Sequence, residues 1–331
     1  MARSRIIRFV VVATFLAINS LSGCSPISSS PKPLTKITVQ LAWTHNAQFA
    51  GMYAAEQKGY YSAEGLAVTL LELPAGADPI DVVLSGKAQF GVAAADSMLI
   101  EQAQGKALRA IAVIFRRSPR VYVSLAGSGI ARPQDMVGKT ISVNSPGHAQ
   151  FEALMSITGI QPDQYTLVNS SSDLSTFYSG QVQVRSVYLT NEVLAMRAAG
   201  YALNIIYPDD YGIHNYGDTL VASDTLIASQ PDLVERFVRA TLKGWTYAVE
   251  NSTEMGTLVQ KYNSSATPSL ESEKMAASIP LVNTGEDHIG WMKPALWAGM
   301  LKILEDQGVI TTPLDVTQAY TMQFLQAIYG K

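Results

Sequence analysis

Residues 36–59 read KITVQLAWTHNAQFAGMYAAEQKG, a strand pattern followed directly by a helix pattern. Positions 37–41 are mostly apolar and rich in β-branched residues, which favours a short strand. Positions 47–58 have a helical pattern, and Gly59 after them is the residue type that commonly ends a helix. This unit predicts the start of an α/β domain.

The same alternation of strands and helices continues along the chain. Further strands are predicted at 66–71, 90–94, 108–115 and 121–125, with helices at 79–85 and 97–104. A second series begins at 140 and alternates until 207. Beyond 219–222 the pattern is mainly helical, at 231–250, 255–262, 294–307 and 316–328. Strands that alternate with short helices indicate parallel α/β sheets.

Two α/β series and a helical tail predict two lobes with two crossings of the chain between them. We place the crossings near Leu125 and Val221. The first lobe would then comprise 36–125 and 222–331, and the second lobe 126–221. A single doubly wound domain is the alternative that the pattern leaves open.

The N-terminus has the pattern of an export signal. Three arginines lie within the first eight residues, and 6–18 is almost wholly apolar. That run is shorter than the roughly 20 residues that span a bilayer, but it suits a signal peptide. The sequence LSGC at 21–24 looks like a bacterial lipobox, which predicts a signal peptide at 1–23 and lipidation of Cys24. An ordinary signal peptide with a chance cysteine is the alternative.

The serine- and proline-rich residues after Cys24 predict a flexible tether at 24–35. We therefore expect a body anchored by lipid to the extracytoplasmic face of a cell membrane. Cys24 is the only cysteine, which excludes disulfides, thiolate metal sites and a catalytic thiol in the body. Lys and Arg number 24 and Asp and Glu 27; without the three signal-peptide arginines the balance is 21 to 27, or −6. The absence of a basic patch argues against nucleic acid as a partner.

In open α/β sheets, ligands bind beyond the carboxyl ends of the strands. The predicted loops at those ends contain aromatic and short polar side chains, which suit a flat ligand held by stacking and a few hydrogen bonds. The candidate ligand-binding residues are Trp43, His45, Asn46, Phe49, Asp96, Phe115, Tyr188, Asn191, Glu192, Tyr207 and Tyr211.

Structural roles are the alternatives for several candidates. Trp43 is also compatible with a core position at a strand end, and His45 with a surface or capping position. Asp96 precedes a predicted helix, where an N-cap is its commonest use. Glu192 suits the first turn of a helix, where the helix dipole favours a carboxylate. No residue near His45 offers metal-ligand spacing, so we expect no metal site.

Several motifs together resemble the periplasmic binding proteins related to thiamine-pyrimidine synthase, and the resemblance covers nearly all of 36–306. They are QLAW at 40–43, NAQFAG at 46–51, EQKGYY at 56–61, GKAQFGV at 86–92, YLTNE at 188–192 and PDDYG at 208–212. The resemblance implies an α/β class II periplasmic solute-binding fold, with two hinge crossings and a ligand held between the two lobes.

The resemblance also implies a function. Ligands in this family include formylaminopyrimidine precursors of thiamine, riboflavin and alkanesulfonates. We expect riboflavin, delivered to the permease and ATPase subunits of an ABC importer. The alternatives are a thiamine pyrimidine precursor (formylaminopyrimidine or hydroxymethylpyrimidine) as the ligand, and a ligand sensor as the role. The synthase branch uses a cysteine cluster and lysine-bound pyridoxal phosphate; this chain lacks the cluster, so we expect no enzyme activity and no cofactor.

Overall fold

The computed structural model describes residues 33–74, 76–143, 148–170 and 173–330. The predicted signal peptide 1–23, the lipidation site Cys24 and most of the tether lie outside the described residues. The predicted end of the tether at residue 35 is one residue too late, because Thr35 already pairs with Leu66 in the first strand. From Leu34 onward, the described residues form one compact unit.

Ten strands in the described ranges form two five-stranded sheets. In chain order they are β1 (Thr35–Gln40), β2 (Leu66–Leu71), β3 (Phe90–Ala94), β4 (Leu108–Val113), β5 (Arg120–Leu125), β6 (Thr140–Val143), β7 (Thr166–Asn169), β8 (Val184–Tyr188), β9 (Leu203–Ile206) and β10 (Asp218–Ser223). The first sheet has the order β2-β1-β3-β10-β4, and the second has the order β7-β6-β8-β5-β9.

Helices connect and cover the strands. They are α1 (Ala50–Gln57), α2 (Tyr60–Ala63), α3 (Pro79–Leu84), α4 (Ala95–Ala103), α5 (His148–Ile157), α6 (Ser175–Tyr178), α7 (Glu192–Ala198), α8 (Asp224–Ser229), α9 (Pro231–Glu250), α10 (Ser252–Gln260), α11 (Pro268–Val282), α12 (Pro294–Asp306) and α13 (Gln323–Tyr329). None of these described helices is long and apolar enough to cross a membrane.

The prediction of an α/β fold with two lobes is confirmed, with one difference in strand direction. β1 is parallel to β2 and β3, and β6 is parallel to β7 and β8. However, β10 runs antiparallel between β3 and β4, and β5 runs antiparallel between β8 and β9. Each lobe thus contains one strand that arrives directly from the other lobe and runs against its neighbours.

The structure places both crossings earlier in the chain than Leu125 and Val221. β5 belongs to the second sheet and β10 to the first, so the chain crosses at 114–119 and at 207–217. An apolar strand pattern identifies a strand but not its sheet, because the pairing partners lie far away in the sequence. The predicted lobe boundaries 36–125, 126–221 and 222–331 therefore lie too late in the chain, since β5 belongs to the second lobe and β10 to the first.

The two crossings run side by side and are joined by backbone hydrogen bonds. The Gly217 N–H donates to the Phe115 carbonyl over 2.8 Å, and the Ser118 N–H donates to the Asn215 carbonyl over 2.8 Å. A Cβ on Gly217 would lie 2.8 Å from Pro119 Cδ and 2.9 Å from Phe115 Cβ. Glycine at this position therefore permits the close approach of the two crossings.

The core of the first lobe forms where α9 packs on α1. Two glycines allow this contact, since a Cβ on Gly244 would lie 2.1 Å from the Gly51 carbonyl oxygen. The buried Trp245 ring covers Gly51 in the same interface. In the second lobe, separate clusters around Tyr122 and around Val121 cover the two faces of the sheet.

The lobes also touch away from the crossings. α11 of the first lobe packs against α7 of the second, and α12 of the first packs against α5 of the second. Ala149, near the start of α5, is buried in the core cluster of the first lobe. The two lobes are therefore in close contact in this structure.

Candidate functional site

Buried polar side chains from both lobes meet where the lobes face each other. Gln48, Asp96 and Asp218 come from the first lobe, whereas Arg120, Tyr122 and Tyr188 come from the second. We call these six residues the cleft cluster. Four of them, Gln48, Asp96, Arg120 and Asp218, are polar or charged side chains with less than a tenth of their surface exposed. Such burial of charge is costly unless the groups are paired or bind a partner.

The loop after β1 places Gln48 in this cluster. Residues Ala47–Phe49 form a short 3-10 helix, and the Asn46 side chain caps it by accepting the Gln48 N–H over 2.7 Å. The Gln48 Nε2 then donates to Asp218 Oδ2 over 2.7 Å. The Ala47 N–H donates to Glu271 Oε2 over 2.7 Å, which ties this loop to α11.

Asp96 and Arg120 form an ion pair between the lobes. Asp96 is the second residue of α4, and its Oδ1 accepts the Ser97 N–H over 2.8 Å. Arg120 is the first residue of β5, and its Nη2 lies 3.8 Å from Asp96 Oδ2. Both side chains are less than a tenth exposed. The pair therefore depends on the lobes being together.

Tyr188 completes the arrangement from the second lobe. It is the last residue of β8 and pairs directly with Arg120 across the sheet. The Arg120 guanidinium carbon lies 5.9 Å from the centre of the Tyr188 ring. This separation is within the range of a cation–π contact, which places an aromatic face next to the buried charges.

The cleft cluster contains two carboxylates but only one guanidinium. Burial raises the pKa of Asp218 to about 7, although the hydrogen bond from Gln48 and the charge of Arg120 act in the opposite direction. Burial also raises the pKa of Asp96, against the lowering effect of Arg120. With both carboxylates ionised the cluster would carry one uncompensated negative charge. A proton on Asp218, or a hydrogen-bond donor from a bound solute, relieves that charge.

Three of the predicted residues lie in the first loop, and the structure gives local contacts to two of them, His45 and Asn46. Trp43 has 48% of its surface exposed. His45 Nδ1 lies 2.9 Å from the Tyr53 hydroxyl, and its ring lies 5.5 Å from the Tyr262 ring. Asn46 caps the 3-10 helix. Asn46 and His45, both predicted to contact the ligand, thus already make structural contacts within the protein. Trp43 is exposed and available for an external partner.

Phe49 and Phe115 were expected to contact the ligand, but they do not line the cleft cluster. Both are buried in the hydrophobic core of the first lobe. The Phe115 ring packs edge-on against Trp245 with 6.3 Å between ring centres. The 3-10 turn rotates Phe49 inward, and the first crossing begins with Phe115 still in the first lobe. The loop positions alone did not reveal these orientations.

The predicted residues after β8 hold one another in place. Glu192 Oε2 accepts the Tyr188 N–H over 2.9 Å, and Glu192 Oε1 accepts from Asn191 Nδ2 over 3.1 Å. Glu192 is also in the first turn of α7, as the alternative interpretation anticipated. Of this group, Tyr188 is the one in the cleft cluster.

Tyr207 and Tyr211 lie at the second crossing. The Tyr207 hydroxyl donates to the Ser118 carbonyl over 2.7 Å, and its ring packs with the core cluster around Val121. Tyr211 packs against the cluster around Tyr122. These two tyrosines support the hinge rather than form an aromatic face around the cleft cluster.

Sequence reasoning missed Gln48, Arg120, Tyr122 and Asp218 as candidates. Gln48 lies in the NAQFAG motif at 46–51, between the predicted residues Asn46 and Phe49. Arg120 and Asp218 each stand at the first position of a strand, directly after a crossing. No local motif marks them, because their importance arises from the antiparallel pairing of β5 and β10.

A separate cavity of about 460 Å³ lies beside the crossings. Its lining residues are Arg116, Arg117, Asp209, His214, Asn215, Pro280, Thr284, Glu286, Lys293 and Leu296, none of which belongs to the cleft cluster. Buried Arg116 donates to Thr284 Oγ1 over 2.7 Å and pairs with Asp287 over 3.1 Å. Arg117 pairs with Asp209 across the two crossings. The charged side chains here form ion pairs with one another, whereas the buried Arg116 Nε and Asn215 Oδ1 have no hydrogen-bond partner among the described residues. Because Arg116, Arg117, Asp209 and Asn215 belong to the two crossings, we assign this cavity to the hinge.

The fold and the cleft cluster define a protein of the periplasmic-binding-protein type. The family model described as "NMT1/THI5 like" matches residues 46–255, and the chain belongs to this family. The riboflavin-binding protein RibY of Chloroflexus aurantiacus is 26% identical, over 91% of this chain and 89% of that protein. The formylaminopyrimidine-binding protein of Halalkalibacterium halodurans is 22% identical, over 95% of this chain and 98% of that protein.

Solved structures agree with this fold. The periplasmic aliphatic sulphonate-binding protein SsuA of Escherichia coli superposes with a TM-score of 0.70 at 13% identity, over 91% of this chain and 100% of that chain. Other relatives in the family are named 4-amino-5-hydroxymethyl-2-methylpyrimidine phosphate synthase. The family thus contains both binding proteins and synthases.

Proposed function

We propose that this chain is the extracytoplasmic solute-binding component of an ABC importer and holds its solute between the two lobes at the cleft cluster. The Asp96–Arg120 ion pair carries this proposal, because it joins buried charges of both lobes at the strand ends. A solute that contacts both lobes stabilises the closed arrangement by its contacts to each. The sequence has no G-x-x-x-x-G-K-[ST] motif, so the ATPase is another chain.

We propose riboflavin as the solute. The named activity of the Chloroflexus relative supports this choice. The Tyr188 ring beside the buried charges suits one face of a flat ring system, and Asp218 and Gln48 suit the hydroxyl groups of its side chain. The exposed Trp43 ring is a further candidate for stacking. Phe49 and Phe115 take no part, so recognition relies more on hydrogen bonds than the sequence suggested.

A thiamine pyrimidine precursor is the second candidate. Two buried carboxylates, Asp96 and Asp218, suit an aminopyrimidine because its amino group donates two hydrogen bonds. The name of the Halalkalibacterium relative supports the same ligand class.

Titration of the purified protein with riboflavin tests the ligand. We expect saturable quenching of flavin fluorescence, and displacement by an aminopyrimidine only at higher concentration. Tight binding of formylaminopyrimidine without flavin quenching would reverse the order of the two candidates.

The proposed cellular role includes a lipid anchor on Cys24 and no enzymatic activity. In the host organism, deletion of the gene should reduce uptake of labelled ligand, and the wild-type gene should restore it. A Cys24→Ala variant should restore uptake poorly and appear in the soluble fraction. Normal uptake in the deletion strain, with loss of a ligand-dependent response instead, would favour the sensor alternative.

A further inference from the structure

A buried ion pair on α11 contacts the loop that carries Gln48. Its partners are Glu271 and Lys274, and the Lys274 Nζ donates to Glu271 Oε1 over 2.6 Å. Both side chains have less than a tenth of their surface exposed. Burial of the two charges costs desolvation energy, and apolar side chains of similar size often leave a protein equally stable. Stability alone therefore gives no reason for charges at these positions.

The second carboxylate oxygen of Glu271 holds the loop. Glu271 Oε2 accepts the N–H of Ala47, the first residue of the 3-10 helix, over 2.7 Å. The N–H groups that begin a helix have no partner within it. Glu271 supplies the acceptor for Ala47, just as Asn46 supplies the acceptor for Gln48. With one oxygen on Lys274 and the other on Ala47, the carboxylate has a fixed position.

The next residue of the loop belongs to the cleft cluster. Gln48 follows Ala47 directly, and its Nε2 donates to Asp218 Oδ2 over 2.7 Å. The orientation of the peptide between Ala47 and Gln48 therefore affects where the Gln48 amide points. Glu271 is thus connected to the cleft cluster through one backbone hydrogen bond, although it is not a member of the cluster.

The other end of α11 is bound to the first crossing. The Leu281 carbonyl, in the last turn of this helix, accepts the Arg116 N–H over 2.8 Å and the Arg117 N–H over 3.3 Å. Leu281 lies about 15 Å along the helix from Glu271, at 1.5 Å per residue. α11 also packs against α7 of the second lobe. One helix therefore contacts the Gln48 loop, the first crossing and the opposite lobe.

We propose that Glu271, held by Lys274, is a positioning residue that directs the Gln48 amide toward the solute and links this loop through α11 to the first crossing. The inference rests on the proposed function, because the solute site is the cleft cluster. Glu271 acts through Gln48 and does not contact the solute itself. A solute that favours one arrangement of the loop then also favours the closed arrangement of the crossing.

Two double variants separate the bond to the loop from the buried charges. Glu271→Gln/Lys274→Met, the glutamine variant, removes both charges but keeps an oxygen that can accept the Ala47 N–H. Glu271→Leu/Lys274→Met, the leucine variant, also removes this acceptor. The dissociation constant is measured with riboflavin or formylaminopyrimidine, whichever wild type binds. We expect the leucine variant to bind about 10-fold more weakly and the glutamine variant to stay within about 3-fold of wild type.

A variant of Gln48 tests whether Glu271 acts through this side chain. In a Gln48→Leu background, the leucine variant should cause no further loss of affinity, because the side chain that Glu271 positions is already gone. A merely structural role would give the same loss of affinity in both backgrounds. Lys302→Met is the control, since the Lys302–Asp306 pair on α12 is exposed and its loss should leave affinity unchanged.

Urea unfolding shows whether each variant is folded. Should the leucine variant not fold, Glu271→Asp replaces it in every comparison. This substitution keeps the charge beside Lys274, but its shorter side chain brings the carboxylate too far from the Ala47 N–H. We therefore expect weaker binding in Glu271→Asp as well.

Hydrogen exchange measures the link to the crossing. In wild type, saturating solute should slow exchange of the backbone amides at 46–49 and at 114–119 together. In the leucine variant at saturation, the protection at 114–119 should be smaller. Equal protection of 114–119 in wild type and variant would overturn the link through α11.

Affinity distinguishes failure of this inference from failure of the proposed function. If wild type binds its solute and the leucine variant binds it equally well, the positioning role is overturned and the proposed function stands. If wild type binds neither riboflavin nor formylaminopyrimidine, the proposed function is contradicted and the positioning role falls with it.

Discussion

Arg120 Nη2 lies 3.8 Å from Asp96 Oδ2. This buried ion pair joins the first residue of β5, in the second lobe, to α4 of the first lobe. Removing one partner of such a pair leaves a charge buried without compensation. The pair therefore links the stability of the protein to the closure of its two lobes.

The first prediction concerns this pair. Arg120→Met should lower the free energy of unfolding by about 3 kcal/mol, because Asp96 remains buried without its guanidinium. The double variant Arg120→Met/Asp96→Asn should recover a large part of that loss. Urea unfolding of the two single variants and the double variant measures the coupling. Strictly additive losses would mean that the two side chains do not interact.

The second prediction concerns pH. Burial raises the pKa of Asp218 to about 7, whereas an aspartate in the unfolded chain titrates near 3.9. Between these values the folded protein holds a proton that the unfolded chain has released. The contribution of Asp218 to stability is therefore largest at low pH and decreases as pH rises, by up to about 1.4 kcal/mol per pH unit, until about pH 7.

Asp218→Asn isolates this effect. The difference in unfolding free energy between the variant and wild type should grow in favour of the variant as pH rises from about 4 to 7, and stay constant above that. Chemical unfolding across this pH range measures the difference. A difference independent of pH would place the pKa of Asp218 near its ordinary value.

The third prediction concerns the crossings. In Gly217→Ala, the new methyl group would lie 2.8 Å from Pro119 Cδ, so the crossings must move apart. We expect a loss of stability of about 1–3 kcal/mol and weaker ligand binding. Gly127→Ala is the control, since a Cβ there meets nothing within 4 Å. Small-angle scattering with saturating ligand should show incomplete compaction of Gly217→Ala alone; compaction equal to wild type would contradict a role in closure.

The fourth prediction concerns Trp43. Its side chain is 48% exposed, so Trp43→Ala should change the unfolding free energy by less than about 0.5 kcal/mol. If the ring stacks on the solute, the dissociation constant should rise about 3- to 10-fold. Val137→Ala, at a position 44% exposed on the second lobe, is the matched control. An unchanged dissociation constant in Trp43→Ala would remove Trp43 from the site.

Local chemistry was enough to predict most elements. The strand predicted at 37–41 is Thr35–Gln40, and the helix predicted at 231–250 has those bounds in the structure. Gly59 ends the first helical segment with a φ of 72°, a backbone conformation that favours glycine. Apolar periodicity and helix-ending glycines act over a few residues, so they can be recognised without knowledge of the fold. The same local patterns, arranged in order, also identified the family.

Tertiary structure alone decided which side chains form the site. Arg120 and Asp218 stand at the first positions of β5 and β10, and they meet because each strand enters a sheet built from distant segments. Phe49 and Phe115 look equally suitable for a ligand surface in the sequence, yet the turn and the crossing direct them into the core. The physical reason is that burial and pairing depend on contacts between residues far apart in the chain. No local pattern records those contacts.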